Sequence, residues 1–86
     1  MTVYSIVATG ADLDRGYFPA PEVKGTYISR ESAEIVLDRL IEAERKDLGN
    51  RYDQEERDEA SWEMYRDGEA AACFSRLDIL ASEVQD

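Results

Sequence analysis

One amphipathic stretch constrains the fold of this chain more than any other. From Ser29 to Leu48 the apolar residues recur at helical spacing and form a single stripe, made of Ala33, Val36, Leu37, Leu40 and Ile41. Ser29 is a favourable N-cap residue, and Gly49 follows the last turn, as is typical where a helix ends. The pattern predicts one long helix over residues 29–48 that packs its apolar stripe on a core.

Two segments rich in β-branched and aromatic residues lie before this helix. Residues 3–9 (VYSIVAT) and 23–29 (VKGTYIS) predict two strands that pair antiparallel. The 13 residues between them hold two glycines and two prolines, which exclude a regular helix and a central strand. We predict a loop there, with an irregular hairpin arm around Tyr17 and Phe18.

The second half of the chain carries strong helix formers but little apolar periodicity. Residues 52–66 predict a second helix, acidic and largely exposed, whose C-terminal half touches the core. After the Asp67-Gly68 turn signal, the residues fit both a helix and a strand. We favour a short helical piece through Arg76 and then a strand from Leu77 to Val84 that joins the N-terminal sheet.

The expected fold is a small single α+β domain over residues 1–86. A short antiparallel sheet, with two N-terminal strands and a possible C-terminal strand, packs against one long amphipathic helix. The second acidic helix completes the domain.

The charge balance limits the classes of partner. Twenty acids, ten bases and no histidine give a net charge of −10, which repels nucleic acid and anionic membranes and attracts basic partners. No apolar run approaches the roughly 20 residues of a membrane span, and the N-terminus lacks the features of a signal peptide. The single cysteine, Cys73, lies in an apolar setting, so we expect a buried, unreactive thiol and no disulfide. We predict a cytoplasmic protein.

The residues that usually carry catalysis are missing from the sequence. Without histidine, the commonest general base and metal ligand is absent. There is no phosphate-binding loop, dinucleotide-binding glycine motif, nucleophile elbow or zinc spacing. The segment from Asp12 to Asp14 begins like a calcium loop, but Gly16 and Val23 stand where ligands are required. We expect no enzymatic activity, no cofactor and no metal.

The acidic residues are concentrated in one part of the sequence. Between Asp47 and Glu69, nine acids and three bases give a net charge of −6. The polar side of the long helix adds a row of carboxylates spaced by about one turn, roughly 6 Å. DNA presents a comparable, denser repeat of negative charge. Trp62 and Tyr65 are side chains of the types that interface hot spots favour. The predicted partner-binding residues are Glu34, Asp38, Glu42, Asp53, Glu55, Glu56, Asp58, Glu59, Trp62, Glu63 and Tyr65.

In overall build, this short, acidic and cysteine-poor chain resembles the small phage-encoded inhibitors of bacterial defence, the anti-CRISPR and anti-restriction proteins. The resemblance rests on YSIVATG, then GTYISRESAEIVLDRL, then the acidic DQEERDE. Several of those proteins act as nucleic-acid mimics. The resemblance implies a stoichiometric, non-catalytic inhibitor that acts in the cytoplasm of a bacterial host cell.

Three functional hypotheses follow from the sequence. The leading one is an acidic protein that occupies a basic surface of a nucleic-acid-binding effector and does not itself bind nucleic acid. The second is a regulatory adaptor or antitoxin-like module that docks through Tyr17, Phe18 and the proline loop, so that its acidity serves solubility alone. The third is a small structural homodimer formed through an exposed strand edge. The sequence leaves monomer and homodimer open.

Overall fold

In the computed structural model, which describes residues 1–85, the chain folds into a five-stranded antiparallel sheet with one long helix packed across one face. The elements are β1 (Thr2–Asp12), β2 (Glu22–Tyr27), α1 (Arg30–Leu48), β3 (Gln54–Asp58), β4 (Ser61–Tyr65) and β5 (Cys73–Glu83), with a short 3₁₀ turn at Leu13–Arg15. The strand order β2-β1-β5-β4-β3 places the first and last strands side by side in the sheet. None of the helices in residues 1–85 has the length and apolarity to cross a membrane.

The predicted long helix is confirmed. At its start, the Ser29 hydroxyl oxygen accepts a hydrogen bond from the Ser32 N–H at 3.1 Å. At its end, Gly49 has a φ of 57°, a conformation that favours glycine. Ala33, Leu37 and Ile41 are buried, while Val36 and Leu40 pack against the edge of the core. The apolar stripe therefore fixes which side of α1 faces the sheet.

The core lies between α1 and the sheet face beneath it. Ile6 of β1 stands opposite Ile79 of β5, and Leu77 of β5 stands opposite Trp62 of β4. Trp62 is only 1% exposed and belongs to the largest fully buried side chains. Because α1 covers one face of the sheet, we call that face the inner face and the opposite one the outer face.

Residues 54–65 form a β-hairpin, so the predicted second helix over residues 52–66 is wrong. β3 and β4 pair antiparallel around the two-residue turn Glu59-Ala60, with Asp58 opposite Ser61. Trp62 and Met64 both point to the core, which is the two-residue period of a strand. Helix propensities differ by at most about 0.7 kcal/mol per ordinary residue, whereas burying one large apolar side chain contributes roughly 1.5–3 kcal/mol. Burial of Trp62 and Met64 therefore outweighs the local preference for helix.

The turn of this hairpin lacks the usual sequence signal. Two-residue hairpin turns commonly contain Asn-Gly or Asp-Gly because they require positive φ angles. In residues 1–85 no residue other than glycine has a positive φ. Instead, the Asp58 carboxylate accepts a hydrogen bond from the Glu59 N–H at 2.8 Å, a local turn contact that aspartate favours.

The C-terminal segment is a strand from Cys73 onwards, so the predicted helical piece through Arg76 is wrong. β5 joins the N-terminal sheet as expected, and it pairs with β1 along the full length of both strands. β1 itself continues to Asp12, beyond its predicted end at Thr9, and a tight arm then closes where Asp12 pairs with Tyr17. Cys73 is fully buried, as predicted. The broad α+β class holds, with five strands and one long helix in place of two or three strands and two helices.

Candidate protein-binding surface

The negative charge of the folded chain is concentrated on the β3–β4 hairpin. Residues 54–65 carry five carboxylates and one arginine, a net charge of −4. α1 carries six acids and four bases over 19 residues, a net charge of −2. The hairpin therefore has about three times the negative charge per residue of the helix.

The carboxylate row of α1 is matched by arginines. Each member of the row has a salt-bridge partner: Glu34 with Arg30 at 3.1 Å, Asp38 with Arg57 at 2.8 Å and Glu42 with Arg45 at 2.5 Å. Exposed pairs of this kind contribute little to stability, but each arginine reduces the field of its carboxylate toward solvent. The predicted acidic row is thus a strip of alternating charge.

Glu55 lies in the acidic strand but faces α1. Its carboxylate accepts hydrogen bonds from the indole Nε1 of Trp62 and from Nε of Arg45, both at 2.6 Å. The Trp62 hydrogen bond, followed by that from Arg45, lowers the pKa of the Glu55 carboxyl group. The contact also satisfies the polar atom of a buried indole. Glu55 therefore joins β3 to α1 and to the core.

The depressed pKa predicts that Glu55 contributes to acid stability. Because its folded-state pKa is lowered, its contribution is present above the ordinary value of 4.5 and is lost as the pH falls through the folded pKa. We expect Glu55→Gln to be less stable than the wild type above pH 4.5. Below that pH, its free energy of unfolding should fall less steeply with decreasing pH than that of the wild type. Urea unfolding across this pH range measures the effect. Asp47→Asn, which changes an exposed carboxylate of α1, is the control; equal pH profiles for Glu55→Gln and the wild type would contradict the assignment.

Trp62, one of the predicted partner-binding residues, is a core residue whose side chain is buried. Its side chain meets Leu77 and the apolar stripe of α1, and it is 1% exposed. The signal for this lay in the spacing of Trp62 and Met64, two residues apart, which places both on one face of a strand. The surface of this part of the chain is therefore formed by the residues that surround the tryptophan.

The outer face of the hairpin carries carboxylates with little compensation. Strand alternation places Glu56 and Asp58 of β3 and Glu63 of β4 on this face, while Glu59 lies in the turn. Glu56 stands directly opposite Glu63, a position in which like charges repel. We call Glu56, Asp58, Glu59 and Glu63 the acidic outer surface.

Basic residues reach this surface only weakly. Arg76 of β5 donates two hydrogen bonds to Asp78, at 2.8 and 3.1 Å, but its distance to Glu63 is 3.5 Å. Arg30 of α1 approaches Glu59 at 3.7 Å. Because Arg76 is shared between Asp78 and Glu63, the group formed by Glu56, Glu63, Asp78 and Arg76 keeps a net charge of −2.

Tyr65 and Asp53 are the remaining two of the predicted partner-binding residues. Tyr65 lies on the outer face of β4, where it is partly exposed. Loss of solvent raises the pKa of its phenol, and the carboxylates of Glu56, Glu63, Asp67 and Asp53 raise it further. Asp53 has a structural role as well, since its carboxylate accepts the Asp67 N–H at 2.9 Å.

The like-charge pair on β3 and β4 gives a stability prediction. We expect Glu56→Lys to stabilise the fold by about 0.5 kcal/mol, because it replaces a repulsive cross-strand pair with an attractive one. For a domain of this size the melting temperature should rise by about 2–4 °C. Thermal unfolding measures the shift at low salt, and high salt should reduce it. A lower melting temperature would mean that Glu56 has a favourable contact in the fold.

A separate polar cluster lies at the far end of β1. The carboxylates of Asp12 and Asp14 and the thiol of Cys73 lie within 4.8 Å of one another, an arrangement that could hold a metal ion. Arg15 binds Asp12 at 2.8 Å and Arg66 binds Asp14 at 2.7 Å. The hydrogen bond from Arg15 lowers the pKa of the Asp12 carboxyl group. These guanidinium groups supply counter-charge to both carboxylates, although Oδ1 of Asp12 is buried and has no hydrogen-bond partner within residues 1–85.

The proline loop exposes several apolar side chains. Leu13, Tyr17 and Phe18 are each between 57% and 61% exposed, and Val23, which follows in β2, is 61% exposed. Between this loop and the C-terminal end of α1 lies an open cleft of about 260 Å³. Together they form the surface that the adaptor hypothesis requires.

No protein-family model, curated protein or solved structure matches this chain.

Proposed function

We propose that this protein is a non-catalytic acidic binding protein that occupies a basic, nucleic-acid-binding surface of a protein partner. The proposal rests on one observation: the alternation of side chains along the strands places some carboxylates of the hairpin on the inner face and others on the outer face. The inward carboxylate of the hairpin, Glu55, is satisfied by two donors, whereas Glu56 and Glu63 face each other on the outer face. Acidity that served solubility alone would not require like charges directly opposite one another, since that placement costs stability.

The spacing of the acidic outer surface suits such a partner. Residues on one face of a strand repeat at about 7 Å, and neighbouring strands lie about 4.8 Å apart. The carboxylates of Glu56, Asp58 and Glu63 are therefore close enough to face a cluster of lysines and arginines that normally binds phosphates. Complementary charge of this kind speeds association and favours basic partners over acidic ones. Inhibition would follow from simple occupancy, in one-to-one stoichiometry and without chemistry.

The proposal includes an inhibitor of the anti-CRISPR type, acting in the cytoplasm of a bacterial host. The support is the short, strongly acidic chain together with the outward carboxylates. A homodimer through β3 is disfavoured, because all five residues of this edge strand are exposed and each is polar or charged.

A second candidate function is an adaptor that docks through the proline loop. The observation in its favour is the exposure of Tyr17 and Phe18, at 60% and 61%. In that case Phe18→Ala would reduce binding more than charge reversal on the hairpin. The two candidates therefore make opposite predictions for the same pair of variants.

Capture from a bacterial lysate tests the leading proposal. The immobilised protein is incubated with nuclease-treated lysate and then eluted with either short duplex DNA or stepwise salt. We expect a nucleic-acid-binding protein to be retained, to be released by the DNA competitor and to leave the matrix at moderate salt. Retention that resists both DNA and salt would contradict occupation of a nucleic-acid-binding surface, and so would the absence of any protein above the bare-matrix control.

A further inference from the structure

We propose that the outer sheet face binds an arginine side chain of the partner over the aromatic pair formed by Tyr65 and Phe74. The inference rests on the proposed function, because the arginine belongs to the basic surface that this protein would occupy. It adds the group by which the partner is recognised. It also adds Phe74, a residue outside the acidic segment.

The register of the sheet brings an aromatic row next to an acidic row. Tyr65 of β4 lies opposite Phe74 of β5 and opposite Gln54 of β3. One step along the same face, Glu63 lies opposite Glu56 on β3 and Arg76 on β5. Directly opposite side chains have Cβ atoms about 4.5–5.5 Å apart, and the next row is about 7 Å away. A group placed over the Tyr65 ring is therefore within reach of Glu63 and Glu56.

No helix covers this aromatic pair within residues 1–85. α1 packs on the inner face, where Trp62 and Leu77 meet it. Tyr65 and Phe74 lie outside that core and remain partly exposed. Beyond Phe74 the row continues with Ala11, a small side chain that is 8% exposed. Tyr65 and Phe74 thus form a partly exposed apolar surface on the sheet face opposite α1.

Charge complementarity selects a cation as the occupant. The carboxylates of Glu56, Glu63, Asp53 and Asp67 lie around Tyr65 and raise the pKa of its phenol, in addition to the effect of lost solvent. The one arginine in the neighbouring row, Arg76, is held by two hydrogen bonds to Asp78 and reaches Glu63 only at 3.5 Å. The face of an aromatic ring attracts cations, and surrounding carboxylates strengthen that attraction.

Arginine fits this arrangement better than lysine. Its planar guanidinium is weakly hydrated, stacks on aromatic rings and presents five donors in a fixed plane. One guanidinium can stack on Tyr65 and donate to Glu63 and Glu56 at the same time, whereas a lysine ammonium offers a point charge. Arginine is also the residue that basic surfaces use most to bind nucleic acid.

Two peptides of equal charge, nona-arginine and nona-lysine, test the inference by calorimetry. We expect the wild type to prefer nona-arginine, and we expect Tyr65→Leu to reduce that preference about threefold while it changes nona-lysine binding little. Tyr65→Phe should keep the preference because it keeps the ring. Tyr17→Leu, which changes an exposed tyrosine of the proline loop, should behave as the wild type.

A ring-current measurement on the wild type avoids dependence on any variant. In a nona-arginine peptide with one isotope-labelled central arginine, the side-chain δ protons should move upfield on binding, as expected for stacking on a tyrosine. The inference is overturned if those protons do not move upfield, or if the arginine preference is the same in Tyr65→Leu and the wild type. Salt-sensitive binding of both peptides with no effect of Tyr65 would leave the acidic outer surface intact as a proposal and remove only the aromatic contact. Failure to bind either peptide would remove both.

Discussion

Trp62→Ala is expected to lower the free energy of unfolding by about 3–5 kcal/mol. The indole is 1% exposed and packs with Leu77 beneath α1, so its removal leaves a cavity in the core between α1 and the sheet. It also removes the donor that binds Glu55 at 2.6 Å. Domains of this size are stable by roughly 4–13 kcal/mol in total, and the variant should therefore be close to unfolding at physiological temperature.

Urea unfolding followed by circular dichroism measures this loss. Tyr17→Ala is the matched control, because it also truncates an aromatic side chain but one that is 60% exposed. We expect the control to change stability by no more than about 0.5 kcal/mol. A Trp62→Ala protein that unfolds like the wild type and fails only in binding would restore the tryptophan as an exposed contact.

The second large effect concerns binding rather than folding. The double variant Glu56→Lys/Glu59→Lys is expected to weaken binding to the captured partner by about 100-fold or more. It places two cations against a basic surface, and like charges brought together at an interface cost several kcal/mol. The fold should persist, because neither side chain is in the core and Glu56→Lys relieves the repulsion with Glu63.

A control of equal net charge separates position from overall charge. Glu31→Lys/Asp47→Lys makes the same change on α1, where both carboxylates are exposed. We expect this variant to retain most of the affinity. Equal losses in the two double variants would mean that only the total charge matters, which would contradict a defined acidic outer surface.

The helix could be predicted from the sequence because its signals are local. The N-cap at Ser29, the stripe through Leu37 and the glycine at position 49 all belong to one continuous segment, and the structure uses each of them. That the C-terminal segment joins the N-terminal sheet was predictable from the alternation of Leu77 and Ile79, whereas its place beside β1 is seen only in the structure.

The hairpin could not be predicted in the same way. Its acidic residues are good helix formers, its turn at Glu59-Ala60 has no glycine, and only Trp62 and Met64 carry the two-residue period. The conformation is then decided by the burial of side chains in the tertiary structure. The free energy of that burial cannot be read from local composition.

The sequence identified the carboxylates of the candidate surface, but it could not show how they are arranged in space. Which carboxylates remain uncompensated depends on partners distant in sequence, such as Arg57, which reaches across from β3 to Asp38 on α1 at 2.8 Å. Glu55 and Glu56 are neighbours in the sequence, yet they lie on opposite faces of the sheet. Only the strand period distinguishes the structural carboxylate from the exposed one.

The most direct test of the acidic outer surface is an amide NMR titration of the labelled protein with nona-arginine. We expect the acidic outer surface to bind the peptide, so that the largest chemical-shift changes fall on residues 56–65, centred on Glu56, Glu59 and Glu63, and disappear as salt rises. Changes that are largest along α1, or that are spread evenly over all exposed carboxylates, would contradict it.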